Sequence, residues 1–569
     1  MTYSASLTQL TRVPCSLAII TLDWCSLTYG VAPCTATGAA GSECYNTFPT
    51  CQARLAFTRT TKEYKITSHE APLPFATGER PYIKKITYLP TEIKDSLTVK
   101  GRMTLELVDE PDTDIGIDPY VSTRSSVQGT FWKKMLARNP NFKGRPIKQY
   151  DGFIGMSEAE FLTDGKLFTG IIDNITLGKS TVKIECVDIL KALDLVEIPE
   201  KLDIKLASDI DGIQTSITLV SDVITSMDSP AGYIRVDDEI ISYAAIDTGT
   251  KIISGCVRAQ FGTIADLHSI NTKVQPVKYY TEDNPFDLML TVLADGGIDA
   301  ADIDLGAFAT EKDFLNDLNV LAVISEPTKA SILYYELVDL LGCKTWVSES
   351  LKITIARNLP NNPTRIYTDL TDTIDILDNS CSADLNQKSL ITRCSVYWDI
   401  DPILSEDENS SYNRMSMALD VDAEGANEYN QVSEKKIMSR WLSADIIASE
   451  EVINDGVNAL VSRQLWQFRD PQSLLSLDLE IKNNELLTGQ FVKISTDELQ
   501  DAAGNDLAGV AFQVVRRERK ENILSLKLLR VTSKKICYFT PADAPNYSVA
   551  TELEKEKYGY FSGSDGKMA

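Results

Sequence analysis

Histidine is almost missing from this chain: His69 and His268 are the only two in 569 residues. Neither has a carboxylate or cysteine partner at the spacing of a metal site or a Ser-His-Asp triad, so both read as surface or structural polar residues. The short signatures of common enzymes are missing as well. No GxxxxGK[ST], GxGxxG, HExxH or GxSxG occurs, which removes the anchors of nucleotide-binding, zinc-protease and hydrolase readings. No run approaches the roughly 20 apolar residues a membrane-crossing helix needs, and the opening MTYSASLTQLTRVPCSLAII has no basic region and only the short apolar run CSLAII. A chain of this kind is expected to span no membrane and to stay where it is made. Basic charge is also in deficit. The formal net charge of −25 opposes general binding to nucleic acid, where Lys and Arg must neutralise phosphates. The strip Arg516, Arg517, Arg519, Lys520 alternates with Glu518 and Glu521 and reads as a solvated strand end. No internal repeat is visible, which argues against a fibrous architecture. These absences together predict a protein that is not an enzyme.

Cysteine, by contrast, is plentiful, with eleven residues. In a reducing compartment, thiols stay free or bind metal more often than they pair. Four of them fall in WCSLTYGVAPCTATGAAGSECYNTFPTCQARLAF, residues 24–57, at Cys25, Cys34, Cys44 and Cys51. The intervening counts are eight, nine and six residues, with Gly30, Gly38, Gly41, Pro33 and Pro49 between them. A structural zinc site draws ligands from short CxxC knuckles, and there are none here. A [4Fe–4S] cube takes thiolates at its corners from wider, less regular spacing, so the pattern favours the cluster over zinc. Zinc, free thiols and disulfides remain as alternatives. Cys15, Cys186, Cys256, Cys343, Cys381, Cys394 and Cys537 sit singly in apolar patterns and are expected in cores, as are Trp346, Trp398 and Trp466.

At roughly 150 residues per domain the length predicts three or four domains. YIKKITYL, LTVKGRMTLELVD, LFTGIIDNITL and STVKIECVDIL alternate with period two and predict antiparallel strands. The tail VDILKALDLVEI shifts toward helical spacing. NPFDLMLTVLADGG and SILYYELVDLLGCKTWV carry apolar residues at i, i+3, i+4 and end in glycine, so they read as helices. SADIIASEEVINDGVNALVSRQLWQF is read as a third. Residues 400–430 are acidic and without clear period, and read as a long exposed loop. Within them Asp420, Asp422, Glu424 and Gly425 open like a calcium loop, but Gln431 stands where the bidentate glutamate belongs. The expected class is mainly β with α+β parts, a multidomain β-barrel or sandwich. Its expected segments are 1–80, a cysteine-rich metal-cluster domain; 81–202, a β-barrel; 203–280, an inserted β-meander; 281–400, an α+β domain; 401–530, a second β-rich domain; and 531–569, a C-terminal arm.

The stretch ECYNTFPTCQARLAF, with Cys44 and Cys51 followed by Arg54 and Phe57, resembles the C-x6-C-x-x-R-F end of the lambda-type minor tail protein L family. CSLTYGVAPC is similar to that family's first cysteine pair, with eight residues between Cys25 and Cys34 where the family has seven. KLFTGIIDNI with TVKIECVDILKALD resembles a strand pair of tail hub barrels, and YIRVDDEIISY with GCVRAQFGTIADLH is similar to a small module of tail-tip chains. The resemblance implies a tail tip hub of a long-tailed, siphovirus-like bacteriophage, with Cys25, Cys34, Cys44 and Cys51 holding a [4Fe–4S] cluster, or zinc as the alternative. It also implies a homotrimer that closes the tail tube and takes part in tail assembly and genome delivery. Its expected partners are the distal tail protein, the tape measure protein and central tail fibre or tip proteins, with DNA passing through unbound. The protein would be made in the bacterial host cytoplasm and reside at the virion's tail tip. A receptor-binding tail adhesin or a zinc-binding tail-associated enzyme is the alternative.

Overall fold

The computed structural model describes residues 13–28, 31–34, 44–69, 80–89, 101–113, 129–220, 227, 230–312, 318–348, 352–357, 366–372, 374–386, 390–404, 408–426, 428–444, 450–469, 472–483, 486–501, 503–520 and 523–531, with 545, 549 and 551. Cys537, the Trp466 side chain and nearly all of the expected arm 531–569 lie outside the described residues. The chain is mainly β with α+β parts, as the alternating runs predict.

Seven strands form the first unit: β1 (Pro14–Cys25), β2 (Arg59–Ser68), β3 (Arg80–Leu89), β4 (Arg102–Val108), β5 (Pro146–Phe153), β6 (Lys166–Leu177) and β7 (Thr181–Asp188). They pair in the order β1-β2-β3-β4-β7-β6-β5, and β5 returns to β1, which closes a barrel. Every pair is antiparallel except β2–β3, the thinnest seam, which is parallel and irregular. Alternation sorts the side chains. Ala18, Ile20, Leu22, Tyr64, Ile66, Met103, Leu105, Ile147, Phe168 and Ile184 fill one core, while Cys15, Leu17 and Ile19 of the same β1 face a second layer under Phe161. The helix Phe131–Arg138 adds Phe131, Trp132 and Met135 to the first core. Buried Asp109 fixes its start by accepting from the Trp132 amide at 2.9 Å and the Thr130 hydroxyl at 2.6 Å.

Two of the seven strands come from the expected segment 1–80, so its cysteine-rich stretch is the loop between β1 and β2, carried on the same ring as residues 80–188. Its separation from a barrel beginning at residue 81 does not hold, because β1 supplies core residues to that barrel.

The meander expected over 203–280 has its own core around Ile204, Ile217, Ile234, Ile241 and Ile253. Its last strand, Lys273–Glu282, pairs with Gly232–Val236 and then with Val320–Ile324, tying the module to the next unit. The glycine-ended helices predicted from sequence are Pro285–Asp295 and Ala330–Leu340. They share one core with Cys394, Val396 and Trp398 and with Val457, Leu460 and Val461 of helix Glu450–Phe468. A final six-stranded sheet joins Tyr367–Thr371 and Ser382–Asn386 to the strands of 472–530. The boundary expected at 400/401 therefore cuts through shared cores on both sides.

The stretch 400–430 is not one loop: it contains the strand Tyr412–Leu419 and the short helix Val421–Glu424. The alternation was inverted, since Met415, Met417 and Leu419 face solvent while Ser416 and Ala418 face the helix-covered side. Apolar residues outside and small ones inside hide a strand from a search for apolar period.

Candidate functional site

The cysteine loop begins where β1 ends. Cys25 is the last residue of β1 and is buried, and its amide donates to the Asn46 carbonyl at 2.8 Å. Asn46 adopts φ 59°, a left-handed conformation that asparagine tolerates better than most residues. From there its side-chain amide donates to the carbonyls of Cys25 (2.9 Å) and Leu27 (3.0 Å). This clamp brings the second cysteine pair back onto the end of the first strand. Across the other side of the loop, Ser26 donates to the Thr58 carbonyl just before β2.

Two one-turn 3-10 helices, Phe48–Thr50 and Arg54–Ala56, then shape the Cys51 side. The Thr47 hydroxyl donates to the Arg138 carbonyl at 2.7 Å, and the Tyr45 amide donates to Thr50 Oγ1 at 3.1 Å. The Arg138 guanidinium lies 4.2 Å from the centre of the Tyr45 ring. The loop is thus docked on the helix that fills the barrel. Cys34 closes a turn of its own, with its amide on the Val31 carbonyl at 2.9 Å.

The other three thiols lie near enough to Cys44 to act on its charge. Burial pushes the Cys44 thiol above its ordinary value; the Asn46 amide pulls it down, and the thiols of Cys51, Cys25 and Cys34 each push it up. Cys44 and Cys25 are buried, and Cys34 and Cys51 are partly exposed. Among the described residues no three His, Cys, Asp or Glu side chains stand close enough to share one metal ion. The donor set is entirely thiol and gathered without being closed on a single point.

The remaining candidates have other roles. Cys15, Cys186, Cys256, Cys343 and Cys394 are buried and Cys381 is half-buried; Trp346 and Trp398 are buried. Asp420 accepts from the Ala423 amide at 2.9 Å and pairs with Arg469, and Glu424 holds Arg393 at 2.6 Å, so arginines take up the carboxylates of the calcium-like stretch. His69 is exposed at the β2 end with its ring on the Pro81 carbonyl.

His268 is where sequence reasoning fell short. Its Nε2 meets Glu239 and its Nδ1 meets Asp237, each at 2.9 Å. Glu239 in turn accepts from Arg258 Nε at 2.7 Å and from the amides of Ala259 (3.0 Å) and Asp266 (3.2 Å). Glu239, Arg258 and His268 are all buried at the side chain. Their separations in sequence, 19 and 29 residues, match no motif; only the meander brings them together.

No family model matches the sequence, and no curated protein matches it. Solved structures give weak likenesses. The tail protein from Neisseria meningitidis MC58 aligns at 10% identity and a TM-score of 0.35, over 79% of this chain and 96% of that one. The 43 kDa tail protein of prophage MuSo2 from Shewanella oneidensis aligns at 10% identity and 0.34, over 79% and 98%. Prophage tail protein gp18 from Listeria monocytogenes EGD-e aligns at 8% identity and 0.33, over 79% and 88%. Likenesses at this level do not establish a shared fold.

Proposed function

We propose that this chain is a structural, non-enzymatic protein of a phage virion, the hub at the tip of a long non-contractile tail, and that its cysteine loop holds an iron–sulfur cluster. The observation that carries the proposal is the gathering of Cys25, Cys34 and Cys51 around Cys44 at the end of a closed barrel. Those are the four positions at which the sequence resembles the lambda-type minor tail protein L family.

Cys25, Cys34, Cys44 and Cys51 would hold the cluster, and bound there it would supply a four-point cross-link. The loop needs one. Residues 26–58 are rich in Gly, Thr, Ser and Ala, and a segment that buries so little apolar surface gains order from metal binding. The protein's own contribution is to present two thiols from the rigid β1 end and the Asn46 clamp, and to fix the Cys51 turn through Thr47. As a hub, the protein would assemble as a homotrimer against the distal tail and tape measure proteins and the central fibre. Its net charge of −25 suits a channel that DNA passes without sticking.

Anaerobic purification of the full chain, with iron, sulfide and zinc assays on wild type and Cys44→Ser, tests the cluster. About four irons and four sulfides per chain, lost in the variant, are expected. Zinc alone, or no metal, overturns it. Gold labelling of an epitope on this chain in intact virions tests the location, with label at the tail tip expected and label on the head or tube refuting the hub.

A further inference from the structure

The small module exposes an unusual amount of aliphatic surface. Ile213, Ile264, Leu267 and Ile270 are 83, 81, 74 and 51% exposed, all in its loops. The two loops lie side by side: Ile210 and His268 exchange backbone hydrogen bonds, the Ile270 amide donates to Asp209, and a β-carbon at Gly212 would sit 3.8 Å from the Ala265 carbonyl oxygen. Soluble proteins rarely leave so large an aliphatic patch bare without a use for it.

The buried charges explain how the patch keeps its shape. Arg258 reaches from its pairing with Glu239 to the carbonyls of Asp211 and Asp266, one in each loop. Glu239 holds the Asp266 amide and His268 from below. Buried ion pairs are weak sources of stability and are better suited to fixing one geometry. Here the geometry fixed is that of the exposed loops.

The rim chooses the partner. Residues 207–214 and 262–270 carry Asp209, Asp211 and Asp266 and no Lys or Arg, and all three aspartates are exposed. An acidic rim repels phosphate surfaces, both nucleic acid and anionic lipid, and fits an apolar protein surface edged with positive charge. This acidic chain has such a surface of its own. On the cysteine loop Leu55 is fully exposed beside Phe48 and Phe57, whose rings meet edge to face at 5.3 Å, and Arg54 stacks on Phe48 at 5.4 Å. Of the basic residues in 52–65, Lys65 pairs with Glu158, Arg59 pairs with Asp23 at 3.1 Å and Lys62 lies over the Trp24 ring, so exposed Arg54 beside Phe48 supplies the positive edge.

We propose that the aliphatic face of Ile213, Ile264, Leu267 and Ile270 receives the Phe48–Leu55–Phe57 knuckle of a second copy of this chain. The two surfaces differ, so the contact is head-to-tail; that it closes a ring instead of running on as a filament rests on the homotrimeric hub reading above. Nothing in it depends on what the four thiols bind.

Native mass spectrometry of the full chain, with the photo-crosslinker p-benzoyl-phenylalanine at position 264, tests the contact. Self-association is expected, with crosslinks joining position 264 of one copy to residues 44–65 of another. Leu55→Asp and Leu267→Asp should each weaken association at least tenfold with circular dichroism unchanged, since both side chains are exposed. Raised salt should weaken it as well. Crosslinks that fall elsewhere, on nucleic acid or on added anionic vesicles, overturn the proposal. So does a Leu55→Asp variant that associates like wild type, or a wild type that stays monomeric.

Discussion

The hydroxyl of Thr47, in the middle of the cysteine loop, donates at 2.7 Å to the main-chain carbonyl of Arg138, 91 residues further along the chain. That carbonyl belongs to the last turn of the helix that fills the barrel, where helix carbonyls lack partners within the helix. One side chain therefore satisfies a helix end and anchors the loop.

Thr47→Val keeps the shape and removes the donor. It should cost about 1–2 kcal/mol, confined to the loop. Hydrogen exchange would register it as faster exchange at the amides of Cys25, Cys51 and Ala56, with β4 and β7 unchanged. Unchanged protection in the loop would mean that other contacts dock it.

Glu239→Ala leaves Arg258 and His268 buried without their shared acceptor. A loss of about 3–5 kcal/mol is expected from breaking a buried pair, read by urea unfolding. Burial pushes the Glu239 carboxyl up, but bonds from Arg258, His268 and the amides of Ala259 and Asp266 more than reverse this and hold it below the usual carboxylate range. Its contribution is therefore present above the unfolded carboxylate value, about 4.3, and lost as pH falls toward the lower folded value. An acid transition in the module equal in wild type and Glu239→Gln would contradict this.

Burial, with Asp151 nearby, pushes the Cys15 thiol up to about 12. The unfolded chain then releases this proton first, near pH 8.5, and the folded barrel loses stability as pH rises from there toward 12. Cys15→Ala should flatten that fall by at most one proton, about 1.4 kcal/mol per pH unit. Denaturant melts of both proteins from pH 8 to 11 would measure it. Parallel slopes would show that Cys15 ionises as freely folded as unfolded.

Gly489 has φ 90°, and a β-carbon there would lie 2.1 Å from Cζ2 of buried Trp346. Gly489→Ala meets both a strained backbone and a ring with no room to retreat. Trp346 packs on Val515 and Leu529 and docks the hairpin 344–356 on the six-stranded sheet. The expected loss is about 1–3 kcal/mol with altered tryptophan fluorescence; a variant as stable as wild type would show that the ring can move.

The local elements were legible where apolar residues keep one period. Leu288, Met289, Val292 and Leu293 mark a buried helix face, and Val182, Ile184 and Cys186 alternate on a barrel strand. Gly178 closes the turn between β6 and β7 through its amide on the Thr181 carbonyl. The strand Tyr412–Leu419 was missed because its large residues face outward. That β1 completes the expected barrel was not legible for another reason: it pairs with β5 about 130 residues away, and period two says which face is buried but not which strand lies beside it.

By itself the sequence determined the β-rich class, the helices that end at glycines and the scarcity of histidine, because these depend on local period and composition. Tertiary structure decided what stands next to what. It put the cysteine loop on the barrel rather than before it, gathered Cys25, Cys34 and Cys51 around Cys44, and enclosed His268 with Glu239 and Arg258 under an aliphatic face. Contacts between residues tens of positions apart depend on strand order and register, which no local pattern encodes.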